Sequence, residues 1–362
     1  MKIRSVFQNF CMLVMFFCSI KSTAQNTVRV RVDSEFVKQM FPEQKDVLTG
    51  GDGCISIDMG KGKSVYFWGD SFLGEVKDNK RDKNTPLIFG NVFTTLENGV
   101  SKTYHGGTKE APTSIIVSPP VNGHKAMLWP QHGFVKNNIL HQMYATIETF
   151  GSGTWDFRWD STVYCRISLP DFKEIDRQTV PAFGDIHYGF AFLPVNKYMY
   201  FYGSKVVNNV AGMYVARGKM NADKLGDYDF FDGKKFQQDA SKATALEGMD
   251  INLSEQFSVF KYKGKYILIT QERGIGTNDI YSFVSDSPTG KWKNKKKIYT
   301  TPEPIENKAV FSYNAMAHPQ YIKNEEILIS YCVNGHKPED LFTDASIYRP
   351  RFIWADLKDI LN

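Results

Sequence analysis

Five times along this chain two short apolar runs face each other across a turn of Gly, Asn, Lys or Glu. The hairpins are CISIDMGKGKSVYFWGD (54–70), KAMLWPQHGFVKNNILHQMYATIETF (125–150), YGFAFLPVNKYMYFYGSK (188–205), EQFSVFKYKGKYILITQE (255–272) and AHPQYIKNEEILISYCVN (317–334). Each leads into a further strand-like run, such as STVYCRISL, AGMYVARGK or DIYSFVSDS. The unit is therefore a meander of three or four strands, recurring about every 65 residues. Helical periodicity is confined to DSEFVKQMF (33–41), capped by Asp33 or Ser34, and to WADLKDIL (354–361). An aromatic content of 14% suits strands better than helices. The pattern predicts an all-β chain, a five-bladed β-propeller, with TVRVRV (27–32) closing the ring against the last blade. A pair of β-sandwiches is the rival fold, but it gives no reason for a shared hairpin. No linker interrupts the repeats, so residues 25–362 read as one domain.

Residues 1–24 read as a signal peptide. Lys2 and Arg4 precede the apolar run CMLVMFFCSI, and Ser22 and Ala24 stand where a signal peptidase needs small side chains. Cleavage before Gln25 would place the protein in the periplasm or outside the cell, with no membrane anchor left. A lipid anchor on Cys18 is disfavoured by the bulky Phe16 and Phe17 before it. Removing Lys2, Arg4 and Lys21 lowers the formal charge from +5 to +2, so no field suited to nucleic acid remains. The basic run KWKNKKK (291–297) reads as a solvated outer strand. Cys54, Cys165 and Cys332 show no metal or disulfide spacing, so buried free thiols are expected.

The first hairpin carries the sharpest chemical signal. Ile55 and Ile57 share a face with Val65 and Phe67 only when paired residue numbers have an even sum. A sum of 122 leaves Gly60, Lys61 and Gly62 as a three-residue loop and pairs Ile57 with Val65 and Ile55 with Phe67. On the other face it sets Cys54 opposite Trp68 and Asp52 opposite Asp70, with Cβ atoms roughly 5 Å apart. Like charges in that position destabilise a ladder, yet they also push two titrations apart, which gives one site an acid and a base. The alternative is that Gly-Asp-Gly and Gly-Asp-Ser are turns in which Asp bonds its own backbone.

GGDG…VYFWGDSFLG, WPQHGF, SDSPTGKW and YNAMAHPQ…ILISYCVN resemble secreted five-bladed propellers of the DUF4185 and DUF5005 type. These are related to bacterial glycoside hydrolases that cleave D-arabinan. The resemblance spans nearly the whole chain after residue 24, and it implies that Asp52 and Asp70 are the catalytic pair.

In a propeller the start of each innermost strand and the end of the next lie at one mouth of the central tunnel. Residues 52, 188, 255 and 318 are thus expected at one mouth. Glu255 becomes a third, reserve acid, and Glu272 a neighbour able to contact substrate or to pair with another blade. Rim histidines His132, His187 and His318, with Asn314 and Asn91, are candidate ligands of sugar hydroxyls. Trp68 and Trp129 could stack on sugar faces or pack the core. No metal-ligand spacing appears and no cofactor is expected. GIGTND (274–279) reads as a blade turn, since no helix follows it to make a phosphate site. The functional expectation is a secreted glycoside hydrolase acting on a furanoside-containing or related polysaccharide. A non-catalytic carbohydrate-binding propeller is the competing reading. A polysaccharide lyase is more distant, because the sequence shows no cation at this mouth.

Overall fold

The computed structural model describes residues 27–362 apart from 43, 46, 154–155, 182–184 and 275–276. The expected signal peptide and Cys18 lie outside the described residues, as does part of GIGTND.

Five sheets of antiparallel strands follow one another along the chain. Their innermost strands are Ile55–Gly60, Lys125–Lys136, His187–Val195, Ser258–Tyr262 and Val310–Lys323. Each of these packs against the next, and the fifth returns to the first, so the ring is closed. Every blade has four strands, and the third adds a short fifth, Phe236–Gln237. The fold is an all-β propeller of five blades, as the repeats predict.

Strand alternation explains why the runs look apolar throughout. Ile55, Val65 and Phe67 face blade 2, packing with Leu140, Tyr144 and Cys165. Tyr66 and Trp68, one residue out of phase, face blade 5 and pack with Leu328 and Trp354. In blade 4, Ile267 and Ile269 join a core with blade 5, whereas Tyr266 and Leu268 join one with blade 3. Both faces of each blade are thus buried, which removes the polar half of the usual alternation. Cys54, Cys165 and Cys332 are buried free thiols within this packing.

The N-terminal strand Val30–Asp33 supplies the outer strand of blade 5, pairing with Arg351–Asp356. Ring closure is therefore made by backbone hydrogen bonds between the two ends of the described chain. Arg29–Asp359 and Arg31–Glu326 ion pairs flank the seam. They are exposed and add little. The basic run lies largely on the outer strand of blade 4, Lys293–Thr300, where Lys296 turns inward to donate to the Asp359 carbonyl.

Two local expectations need correction. Gly60, not Met59, pairs with Lys63, so the first hairpin turns on Lys61 and Gly62 with an irregularity at Met59. Both turn residues have positive φ, 55° and 75°, as a two-residue hairpin turn requires. At the C-terminus Trp354 is still in a strand, and the helix runs only over Leu357–Leu361, capped by the Asp356 carboxylate. The N-terminal helix is likewise short, Phe36–Met40.

Asp33 ties seam and helix together. Its Oδ1 accepts from the Glu35 and Phe36 amides, and its Oδ2 accepts from Trp354 Nε1 at 2.8 Å. Asp33→Ala should lower the unfolding free energy by about 2–5 kcal/mol, the sum of the lost bonds to the amides that enter the helix and a lost charged hydrogen bond. Urea denaturation measures it; an unchanged midpoint would show that the seam does not depend on this carboxylate.

Candidate active site

At one mouth of the ring the innermost strands lose their regular ladder. In blade 2 the register shifts between Pro130 and Gly133, in blade 3 between Tyr188 and Ala191, and in blade 5 between Tyr313 and Met316. In blade 1 the chain turns through Gly53 and Cys54, at φ 88° and 48°, just before the strand begins. Bulges re-aim side chains that an even ladder would send into the interblade cores. The result is a cavity of about 920 Å3 to which every blade contributes.

Asp52 lies on the wall of that cavity. The register sum of 122 holds on both sides of it, in Gly51–Ser71 of a small accessory sheet and in Ile55–Phe67 of blade 1. Between those ladders the Asp52 carbonyl accepts from the Gly69 amide at 2.9 Å, so Asp52 and Asp70 face each other at a break rather than as a laddered pair. Gly69 leaves room for the carboxylate: a Cβ there would sit 2.4 Å from Asp52 Oδ1 and push it aside.

Burial first, and then the Asp70 charge, push the Asp52 carboxyl up to about 7, against opposition from a Tyr313 hydroxyl that donates to Oδ2 at 3.1 Å. Burial also raises Asp70, but the Gly90 amide and Trp129 Nε1 both donate to its Oδ1, at 2.9 and 3.1 Å, and favour its charged form. Both carboxyls are raised by burial, Asp52 the further, so Asp52 is the one that carries a proton near neutrality. Asp70 is set behind the Trp129 indole, which itself lines the cavity.

Glu255 stands on the same wall, with Glu272 nearby. Burial pushes the Glu255 carboxyl up, but His187 and Arg273 outweigh it and hold the group below its ordinary range. His187 Nδ1 lies 3.1 Å from Oε1 and Arg273 Nη2 3.6 Å from Oε2. An ionised Glu255 does not fit the reserve role of proton donor and suits a base instead. Trp159 stacks on the His187 ring at 4.3 Å, a contact the sequence reading missed. Its signal was the alternation in WDFRWD, which puts Phe157 and Trp159 on one face.

Of the other expected ligands, Trp129, His187, Glu272 and Asn314 line the cavity. Asn314 accepts from Ser254 Oγ at 3.0 Å and so joins two blades there. Four others are elsewhere. Trp68 is fully buried on the face of its strand that meets blade 5, its Nε1 donating to Thr94. Asn91 is fully buried too, its amide nitrogen donating to the Ile116 and Leu128 carbonyls and so stitching blade 1 to blade 2. His318 lies in the interior between Ser56 Oγ and Ser330 Oγ, at 2.7 and 2.9 Å, and burial depresses it to about 3. His132 packs against Phe192 off the cavity wall, and burial lowers it to about 4. Tyr188, expected at the mouth with Asp52, is a fully buried core residue. Cations are present where none was expected, since Arg273 and Lys308 line the cavity. Among the described residues no group of three His, Cys, Asp or Glu side chains could hold a metal ion. None of the described helices is long and apolar enough to cross a membrane.

Residues 34–355 match the sequence profile described as Domain of unknown function (DUF5005). The chain belongs to that family. The crystal structure of a "putative hydrolase" from Bacteroides ovatus ATCC 8483 superposes on this DUF5005 protein with a TM-score of 0.72. The two are 18% identical, with 91% of this chain and 90% of that one covered, a likeness of fold. A GH43_1 enzyme from Xanthomonas citri, in complex with xylotriose, aligns at a TM-score of 0.49 and 11% identity over 88% of this chain and 90% of its own. Levansucrase of Bacillus subtilis is 36% identical over 91 residues, 22% of this chain and 19% of the levansucrase. The DUF5005 chain thus matches about a fifth of the length of that curated relative.

The Asp52 proton has a consequence for stability. In the unfolded chain an aspartate ionises near 4, whereas folded Asp52 keeps its proton up to about 7. Between those values the folded state binds the extra proton, so this contribution is complete below about pH 4 and is lost as pH rises to about 7. Asp52→Asn removes the titration. Its stability relative to the parent should rise by roughly 2–4 kcal/mol from pH 4 to 7.5 in urea denaturation. A difference that stays constant across that range would mean Asp52 ionises normally.

Proposed function

We propose that this DUF5005 protein is a glycoside hydrolase exported through its N-terminal signal, working in the periplasm or outside the cell. The observation that carries the reading is Asp52, protonated near neutrality on the wall of a cavity walled by aromatic rings, with Asp70 beside it raised by burial but to a lesser extent. Separated titrations of this kind assign acid and base in glycosidases. Trp129 and Trp159 offer apolar faces on which sugar rings stack.

In the reaction Asp52 gives its proton to the glycosidic oxygen as the bond to the anomeric carbon breaks. Asp70 either takes a proton from the attacking water or attacks the anomeric carbon itself, forming an ester that water then hydrolyses. Both routes consume one water and release one reducing end. We take a furanoside-containing polysaccharide such as arabinan as the substrate, on the resemblance of the GDG-to-GDS hairpin to D-arabinan-cleaving enzymes.

A second assignment keeps Asp52 as the acid and makes Glu255 the base. It is favoured by Glu255 standing ionised on the cavity wall, whereas Asp70 is tied to Trp129 behind it. Under that assignment Asp70 serves to keep Asp52 protonated.

Incubation with a polysaccharide panel that includes arabinan, followed by assay of new reducing ends, tests the proposal. Asp52→Asn should lower turnover by about a hundredfold or more. Asp70→Asn should do the same if Asp70 reacts, and Glu255→Gln if Glu255 does. The anomer of the first product, followed by NMR, gives a second reading. Retention fits carboxyls about 5 Å apart and inversion fits carboxyls about 6.5–9.5 Å apart, so the anomer reports the spacing of the two groups that react. Binding without new reducing ends would make the protein a carbohydrate-binding propeller. Products that absorb in the ultraviolet would make it a lyase, with Arg273 or Lys308 neutralising the substrate. Full activity of Asp52→Asn would overturn the hydrolase assignment.

A further inference from the structure

The cavity reaches outward from the central tunnel along blade 2. There its wall is one face of the sheet, on which Trp129 lies opposite Ala145 and Ile147 lies opposite Trp159. These four residues and Phe157 all line the cavity, so an apolar wall crosses the first three strands of the blade.

Trp159 also lines a second hollow, of about 300 Å3, together with Asp160, Ser161, Thr179 and Pro181. The two hollows therefore adjoin at this indole, which is held in place by its stacking on His187. Thr179 belongs to the fourth strand of the blade, three strand spacings out from Trp129. Each spacing is about 4.8 Å, close to the length of one unit in a sugar chain.

A break in the ladder shapes the outer hollow. Thr146 pairs with Ser161 but Ile147 pairs with Trp159, which leaves Asp160 as an extra residue in the third strand. Such a bulge re-aims side chains that a regular strand would alternate between its two faces. Asp160 is exposed and lines the hollow beside the Trp159 ring. No Lys, Arg or His among the described residues lines it with them. An aromatic ring offers a surface for the apolar face of a sugar, and a carboxylate beside it accepts from the hydroxyls at the ring's edge.

We propose that this outer hollow is a distal sugar subsite continuous with the main cavity, in which Asp160 accepts hydrogen bonds from a neutral sugar. The inference rests on the reading that the main cavity takes carbohydrate, and it adds a requirement for length. A chain with one unit beside Asp52 and Trp129 reaches Asp160 only with two or three further units, at about one unit per strand spacing. A dimer ends short of the hollow, whereas a tetramer fills it. A uronate in the hollow would face the Asp160 charge with no cation there to offset it, so the ligand is an uncharged sugar.

The test compares the parent with Asp160→Ala, a change at an exposed bulge, after urea denaturation has verified that both fold alike. Each is titrated by calorimetry with arabino-, xylo- and gluco-oligosaccharides, from dimers to pentamers. For the series that binds best, parent affinity should rise about tenfold or more from dimer to tetramer and then level off. Asp160→Ala should lose most of that rise and bind the dimer as the parent does. Equal parent affinity for dimer and tetramer would overturn the proposal. So would a variant that keeps the rise, or one that weakens dimer and tetramer alike. A parent that binds none of these sugars would overturn it together with the carbohydrate reading. Hydrolysis that depends neither on chain length nor on Asp160 would sink the inference and leave the hydrolase standing. A length-dependent affinity lost in Asp160→Ala, with no hydrolysis by the parent, would do the reverse.

Discussion

Each blade of this propeller is apolar on both faces, and none can exist except between two others. Phe67 needs Leu140 of blade 2, and Trp68, the next residue, needs Leu328 of blade 5. Five such interfaces make five interblade cores, and the ring is left with no free face only once the last blade meets the first. That is why the closure by Val30–Asp33 on Arg351–Asp356 matters more than its four residue pairs suggest. It covers the edge of blade 5 and locks the order of all the others.

A ring so fully committed to packing has few places for chemistry. Side chains in a regular ladder alternate between two cores, and neither core can hold a charge. The mouth is built where that alternation fails, at Gly53–Cys54, Pro130–Gly133, Tyr188–Ala191 and Tyr313–Met316. Those breaks release Asp52, Gln131, Phe190 and Asn314 toward one cavity. The same packing supplies the low dielectric that lifts the Asp52 carboxyl and makes the Asp70 charge felt. Fold and site are linked through desolvation: the cores exclude water, burial raises both carboxyls, and the Gly90 and Trp129 hydrogen bonds oppose that rise at Asp70.

Much of the fold was legible because hairpins are local. Turn chemistry and alternation mark the five inner hairpins, and the sum of 122 holds on both sides of Asp52, although its own backbone bond is to Gly69 at a break in the ladder. The failures have a common cause. Nothing in VYFWGD says which neighbouring blade each side chain faces, so Trp68 could be assigned to sugar when it belongs to the core with Trp354. His318 and Asn91 sit near mouth residues in sequence, yet each is satisfied by partners far along the chain, Ser56 and Leu128 among them. His187 was legible by position, but its partners Glu255 and Trp159 come from other blades.

Asp52 keeps its proton near neutrality because it is buried and feels the Asp70 charge. Carbon-13 NMR of aspartate carboxyl groups, with the Asp52 signal assigned by its loss in Asp52→Asn, measures this directly. Asp52 should titrate near 7 in the parent protein and clearly lower in Asp70→Asn, where the like charge is gone. An Asp52 that titrates near 4 in the parent, or one unmoved by Asp70→Asn, would contradict it.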